Sequence, residues 1–287
     1  MVKVAILGYG TVGGGVAEIL HKNGAHISQR VDNPVEVKYI LTRRDYPGDP
    51  FEDKIVQDFS IIEHDPEVRV VAECIGGTTV ALDYARRALN AGKHVVTSNK
   101  ELVAAYGYEL LQIAKEKGCS FLFEASVGGG IPIIDPLKHS LTANGISSVM
   151  GIVNGTTNYM LTRMSQEGLA YDDVLAQAQA LGYAEADPTA DVDGLDAAAK
   201  IAILASIAFH SRVTINDVHA EGIRNIKPMD LEAASEMGYV VKLLAIANRT
   251  DNGISVRVHP TMLPTSHQLS SVNGVFNAIY VTGDAVG

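Results

Sequence analysis

No apolar run in the 287-residue chain approaches the roughly 20 residues that a membrane-spanning helix needs. Basic charge is also scarce. The 23 Lys and Arg against 33 Asp and Glu leave a net charge of -10. That excludes ordinary nucleic-acid binding, which requires a positive surface. Cysteine is nearly missing: Cys74 and Cys119 are the only two, both in apolar strand-like runs. They fit buried thiols in a reducing compartment better than a disulfide framework, with one bridge between them left open. The chain starts at once with a strand pattern rather than a charged and then apolar leader. No signal peptide is expected, and a cytoplasmic location is. No repeat or low-complexity tract is visible. What is present is ordinary for a globular protein, 47% apolar and 20% charged residues. The length suits two domains, each with its own core.

The first half alternates short apolar runs with helical patterns. Strands are expected at 2–8, 35–42, 68–77, 93–99 and 119–126. Helices are expected from the first strand to about Asn23, over 79–91 with Ala91-Gly92 as the stop, and from Lys100 to Lys117. Strands alternating with helices predict a parallel sheet with helices on both faces. Past Gly128 the rhythm changes. Helices are expected near 131–143 and at 156–167, 171–181 and 194–209, with strands at 146–153 and 274–283. "YVVKLLAIAN" and "ISVRVH" flank Asp251-Asn252-Gly253, a hairpin signal. The expected fold class is therefore α/β, with a parallel-sheet domain over 1–128 and an α+β domain over 129–287.

Gly8-Tyr9-Gly10-Thr11-Val12-Gly13 matches G-x-G-x-x-G, and it follows a strand and opens a helix. In that context the pattern predicts a Rossmann-type dinucleotide site. Absent side chains admit the pyrophosphate, and the helix N-terminus offers N–H donors. An NAD site usually carries an acid at the end of the second strand. Asp32 has the right sequence distance, but it precedes Asn33-Pro34 and so lies before the strand. The strand tip carries Thr42-Arg43-Arg44, and two arginines suit the 2′-phosphate of NADP. The alternatives are a solvated loop end, and NAD in place of NADP. In such sheets ligands sit outside the carboxyl ends of the strands. Ile75, Gly76, Gly77 and Thr78, and also Ser98, Asn99 and Lys100, are therefore expected to face the nucleotide. Asn99 is equally a good helix cap, and a lysine in a first helical turn is unfavourable unless something else holds it.

"AEADPTADVDGLDAAAKIAIL" (184–204) places five carboxylates, Glu185, Asp187, Asp191, Asp193 and Asp196, ahead of one lysine, Lys200, in an otherwise apolar helix. The stretch is not an EF-hand. Counting from Thr189, the first position is Thr rather than Asp, and the twelfth is Lys200 rather than Glu. Asp196 and Lys200 are also spaced as an ordinary i,i+4 pair, and Asp193 as a cap with Gly194 at the first helical position. Neither reading explains why the lysine's neighbours are so apolar. A desolvated amine beside carboxylates is suited to general acid/base work. Spare carboxylates suit an ammonium substrate. Asn154-Gly155-Thr156-Thr157 offers an amide, hydroxyls and N–H groups to a substrate carboxylate, or a helix cap.

These segments together resemble the homoserine dehydrogenase family across nearly the whole chain: "GYGTVGGGV", "SNKELVA", "EASVGGGIPII", "GIVNGTTNYML" and "GYAEADPTADVDGLDAAAKIAIL". The resemblance implies reversible oxidation of L-homoserine to L-aspartate 4-semialdehyde with NAD(P), in threonine and methionine biosynthesis. It implies Lys200 as catalytic lysine, Lys100 as a second active-site lysine, Glu185 for the substrate ammonium, and Asp191 and Asp196 in support. It further implies a sodium-type cation held by Glu124 and the carbonyls of Val127, Gly129 and Ile131, and a homodimer. The family usually continues past the position of Gly287, and many members add a regulatory domain, so a truncated chain is expected. Another NAD(P)-dependent reductase of an aspartate-derived metabolite, or a non-catalytic nucleotide-binding redox regulator, is the alternative. Replacing both Arg43 and Arg44 by Ala should weaken NADPH binding and leave NADH binding nearly unchanged. Equal loss for the two cofactors in a binding titration overturns the 2′-phosphate assignment.

Overall fold

The computed structural model describes residues 1–285 and 287. The chain divides into two compact units, Met1–Ser126 and Val127–Gly287. Among the described residues no helix is long and apolar enough to cross a membrane.

Unit 1 has six strands: β1 (Val2–Leu7), β2 (Val35–Leu41), β3 (Ile55–Val56), β4 (Val68–Glu73), β5 (His94–Thr97) and β6 (Phe121–Leu122). They form one sheet of order β3-β2-β1-β4-β5-β6, with every pairing parallel. Five helices accompany it: α1 (Thr11–Lys22), α2 (Gly24–Arg30), α3 (Phe59–His64), α4 (Thr79–Asn90) and α5 (Lys100–Lys117). Val4, Ala5, Ile6 and Leu7 are all buried in succession. Successive strand residues point to opposite faces, so both faces of the sheet are covered there. On one side Ile6, Val37, Ile40 and Ala72 pack with Ala17 of α1.

Two strands are shorter than their apolar runs. The run at 68–77 stops as a strand at Glu73, because Gly76 and Gly77 take left-handed backbone, φ 85° and 65°. The run at 119–126 pairs only at Phe121–Leu122. Its start still belongs to the helix exit, where Cys119 N–H donates to Ala114 O at 2.8 Å. Its end folds into a tight turn in which the Ser126 hydroxyl donates to Phe123 O at 2.6 Å. The two cysteines are free and half-buried. Burial pushes the Cys74 thiol up to about 12.

Unit 2 holds β7 (Ile146–Ile152), β8 (His219–Ala220), β9 (Tyr239–Thr250), β10 (Gly253–Pro264) and β11 (Ala278–Gly283) in the order β11-β7-β9-β10-β8. The sheet is mixed, since only β8 and β10 run parallel. β9 and β10, 12 residues each, form a hairpin around Asp251-Asn252, and Gly253 takes φ 127°. The helices are α6 (Gly155–Glu167), α7 (Tyr171–Ala180), α8 (Thr189–Val192), α9 (Leu195–Ala208) and α10 (Pro228–Glu236). The helix expected near 131–143 is shorter, confined to 134–140. It opens with Leu137 N–H donating to Ile133 O at 3.0 Å and widens over Pro136–Ser140, where Leu141 N–H donates to Pro136 O at 2.8 Å. Pro136 has no N–H and so removes one bond from a regular ladder through this stretch, whereas Pro132 lies where a first-turn N–H has no helical partner in any case.

Lys242 of β9 is 3% exposed and has no carboxylate among its bonded partners. Its ammonium donates to Val272 O at 2.6 Å, Asn273 Oδ1 at 2.9 Å and Asn158 Oδ1 at 3.2 Å. It thereby ties β9 to α6 and to the 272–273 segment. Desolvation lowers its pKa from 10.5 to about 8. The unfolded chain therefore holds this proton at pH values where the folded chain has released it. The folding penalty is fully present below about pH 8 and fades as pH rises toward the unfolded pKa. The stability of the protein relative to Lys242→Met should thus rise by about 2 kcal/mol between pH 8 and 10. Denaturant unfolding at the two pH values measures it, and a flat difference rules this account out.

Candidate active site

Unit 1 builds its part from strand ends. Gly8 closes β1 with φ 94°, and a Cβ there would lie 2.8 Å from Cys74 O. A Cβ on Gly13 would lie 1.9 Å from Gly8 O, so α1 sits on the loop only because residue 13 is Gly. Gly10 is the N-cap of α1, adds no side-chain cap bond, and faces open space. Turn, close helix packing and ligand approach are the three jobs such glycines do in a dinucleotide loop. Thr11 and Val12 are exposed at the same helix N-terminus.

Tyr9 within the loop was not a candidate from sequence. Its hydroxyl donates to Asp49 Oδ1 at 2.9 Å, its carbonyl accepts Tyr46 OH at 3.2 Å, and its ring meets Tyr46 edge-on at 4.9 Å. Burial, with Asp49 beside it, pushes the Tyr9 phenol up to about 12. These contacts anchor the glycine loop to the segment after β2. Arg43 and Arg44 lie exposed on that segment. Asp32 sits before β2 with φ 50°, at the opposite end of the strand from Arg43.

At the ends of β4 and β5, Asn99 caps α5: its Oδ1 accepts Leu102 N–H at 3.1 Å. Its Nδ2 also donates to Gly77 O at 2.7 Å, so the cap doubles as a tie between the two strand ends. Lys100 is the first residue of α5. Ile75, Gly76 and Gly77 are exposed, and Thr78 and Ser98 are half-buried. Between the strands lies Glu73, 0% exposed, a group the sequence did not single out.

In unit 2 the amine is built by α9. Every residue from Asp196 to Ala205 is buried except Lys200. The Lys200 ammonium donates to Asp196 Oδ2 at 2.7 Å and to Val153 O at 2.8 Å. The side chains are 16% and 5% exposed, respectively, so this is a buried pair and not a solvated i,i+4 pair. Asn154 Nδ2 donates to Asp191 Oδ1 at 2.7 Å and to Asp196 Oδ2 at 2.9 Å. Its Oδ1 accepts Thr157 N–H at 2.9 Å and thereby caps α6. One amide thus joins two carboxylates and a helix N-terminus.

The five carboxylates do not share one job. Asp196 bonds Lys200 directly, and Asp191 bonds the Asn154 amide that also bonds Asp196. Asp193 does not cap α9. Gly194 is the N-cap, with φ 79°, and Asp193 pairs with Arg224. Arg224 also donates to Thr189 Oγ1 at 3.1 Å. The hydroxyl and backbone N–H of Thr189 hold the Asp187 carboxyl below its ordinary range. Glu185 is exposed, and its carbonyl accepts Gln179 Nε2 at 3.0 Å.

The Asn154 amide is engaged at both ends, so the cap role open to it in the sequence is filled. The Thr156 hydroxyl donates to Tyr183 O at 2.6 Å. A Cβ on Gly155 would lie 2.7 Å from Val275 O, so the 275 carbonyl closes on the first turn of α6. Asn154→Asp keeps a capping oxygen but sets a third carboxylate against Asp191 and Asp196. It should cost about 2 kcal/mol or more at neutral pH, read by denaturant unfolding. Wild-type stability for that variant rules out the bridging role.

Comparison with known proteins gives a consistent result. Residues 132–287 match the family model for homoserine dehydrogenase, and residues 8–124 match that for the homoserine dehydrogenase NAD-binding domain. A homoserine dehydrogenase from Pseudomonas aeruginosa is 47% identical over 287 residues; the match covers the whole of this chain and 66% of that protein. The chain therefore spans about two thirds of the length of that relative. The crystal structure of a homoserine dehydrogenase from Thiobacillus denitrificans superposes with a TM-score of 0.94 at 44% identity, over all of this chain and 67% of that one. A hyperthermophilic archaeal homoserine dehydrogenase in complex with NADPH superposes with a TM-score of 0.81 at 28% identity, over all of this chain and 89% of that one.

Proposed function

The chain belongs to the homoserine dehydrogenase family, and from that premise we propose that it interconverts L-homoserine and L-aspartate 4-semialdehyde with a nicotinamide dinucleotide, in the cytoplasmic route to threonine and methionine. The observation that carries the reading is the Lys200 ammonium, fixed by Asp196 and Val153 O on a buried helix. Oxidation of a primary alcohol removes a proton from oxygen and a hydride from carbon. In its neutral form the Lys200 amine takes the C4 hydroxyl proton in that direction, becoming the ammonium, and the ammonium returns a proton to the developing alkoxide in the other. Asp196 and the Val153 carbonyl hold the amine against rotation, and the Asn154 bridge holds Asp196. Lys100 is the second lysine, assigned to the alkoxide. Glu185 and Asp191 take the substrate ammonium, and Gly155 and Thr156 flank the substrate carboxylate.

Gly8, Gly10, Thr11, Val12 and Gly13 receive the pyrophosphate, and Ile75, Gly76, Thr78 and Ser98 line the nucleotide's far side. The open space at Gly10 and the close packing at Gly13 support this. When bound, the nicotinamide accepts the C4 hydride. NADP is the proposed cofactor, because Arg43 and Arg44 are exposed beyond β2 and Asp32 lies at the wrong end of the strand. A monovalent cation is assigned to Glu124 and the carbonyls of Val127, Gly129 and Ile131. This all-oxygen donor set fits a hard ion. Gly128 and Gly129 are both left-handed, φ 77° and 60°, and the turn is closed by Ile131 N–H on Gly128 O at 3.0 Å. The ion would supply rigidity to that turn. A homodimer belongs to the same reading, supported by Met262 and Tyr280, large apolar side chains left exposed on strands of the second sheet.

Absorbance of NADPH with aspartate semialdehyde tests the activity. Lys200→Ala should lower kcat about 100-fold or more with NADPH still bound. A loss under about tenfold removes Lys200 from the chemistry. Tight NADPH binding without turnover by the unaltered protein points to a regulator instead.

A further inference from the structure

We propose that Glu73 is a positioning residue for the nucleotide site of unit 1, acting through a closed ring of hydrogen bonds that fixes the ends of β4 and β5 against each other. Glu73 Oε1 accepts Ile75 N–H at 2.8 Å and Gly76 N–H at 3.2 Å. Glu73 Oε2 accepts the Thr97 hydroxyl at 2.6 Å. Thr97 Oγ1 in turn accepts Asn99 N–H at 2.9 Å, and Asn99 Nδ2 returns to Gly77 O at 2.7 Å. The ring therefore runs from Glu73 through the 75–77 turn, Asn99 and Thr97, back to Glu73.

The chemistry of the ring requires a carboxylate. All three contacts to Glu73 are donors, so the group acts only as an acceptor. An amide of the same shape either turns its NH2 toward the two backbone N–H groups and loses both bonds, or donates to Thr97 Oγ1 and leaves the Thr97 O–H and one amide N–H without an acceptor in a site 0% exposed. The ring also explains how the turn presents itself. The Ile75 and Gly76 N–H groups point inward to Glu73, and any Cβ on Gly76 or Gly77 would meet no atom within 4 Å. A bare backbone surface thus faces open space, held in left-handed geometry. Gly8 completes the arrangement from the third strand, because its α-carbon lies against the Cys74 carbonyl next in sequence to Glu73. The segments so fixed carry Gly8, Ile75, Gly76, Thr78, Ser98 and Lys100, all in the proposed nucleotide and lysine set. The inference rests on that reading.

The two arms of the ring separate in an experiment on the whole chain, with NADPH affinity from its fluorescence on binding and kcat with aspartate semialdehyde. Glu73→Gln should weaken NADPH binding about tenfold and lower kcat by a similar factor. Thr97→Val removes the Glu73–Thr97 and Thr97–Asn99 bonds and leaves those of Glu73 to Ile75 and Gly76 in place. It should lower kcat about tenfold with NADPH affinity within about twofold, and Thr97→Ser should restore kcat. If these variants melt earlier but keep both constants within about twofold when folded, the ring serves stability alone and the proposal is overturned. Should Glu73→Gln fail to fold, the Thr97→Val and Thr97→Ser pair decides through kcat. If the unaltered protein binds NADPH without turning over aspartate semialdehyde, the proposed activity fails, and the NADPH affinity of Glu73→Gln still decides the role of Glu73.

Discussion

The second unit is organised around a cation and an anion withdrawn from water. Bringing an ammonium and a carboxylate into a protein interior costs several kcal/mol each, and their mutual attraction offsets this only where further hydrogen bonds complete the shells. Lys200 and Asp196 meet that condition through Val153 O and the Asn154 amide. Each extra partner comes from a different element: the end of β7, the cap of α6, and Asp191 on α8. Satisfying one ion pair thus fixes where four elements meet. The surrounding alanines of α9 are small enough to let those elements approach, and Ile201, Ile203 and Leu204 supply the burial.

Unit 1 meets an analogous constraint with backbone geometry. A parallel sheet leaves its strand ends to be shaped by loops, and here left-handed glycines do the turning at residues 8, 76 and 77. Glycine is favoured where φ is positive, because a Cβ is strained there. The same residues leave room for a ligand, so loop conformation and access have one cause. Polar anchors then hold the turns, the buried Glu73 and Thr97 at the ends of β4 and β5 and the half-buried Tyr9 beside the segment that follows β2.

Much of this was legible in the chain. Runs such as "VKVAILG" and "VRVVAE" read as strands because they are short, largely apolar and rich in β-branched residues, as suits a parallel sheet covered on both faces. The glycine loop and the isolated Lys200 were legible for the same reason: each breaks the local pattern. What stayed hidden depends on distant partners. Glu73 reads as a solvated strand end until Thr97, 24 residues on, closes over it. The division of labour among the five carboxylates is set by Asn154 and Arg224, neither near in sequence. β3 and β8 have two residues each, too few to show any period. α10 was missed despite a readable start, Pro228 at its first turn and Asp230 accepting Lys227 N–H. The helix expected at 131–143 is confined to 134–140, where Pro136 leaves a ladder bond unmade that an apolar pattern does not show.

The contact between residue 155 and the 275 carbonyl joins main chain to main chain, with no side chain of the 275–276 segment taking part in it. Val275 and Phe276 meanwhile project outward, the latter 72% exposed. Shape at this point is therefore insulated from the identity of the residues that display it. Positions 275 and 276 are free to diverge among descendants of this sequence while the fold beneath them stays put, whereas a single added methyl at 155 breaks the fit.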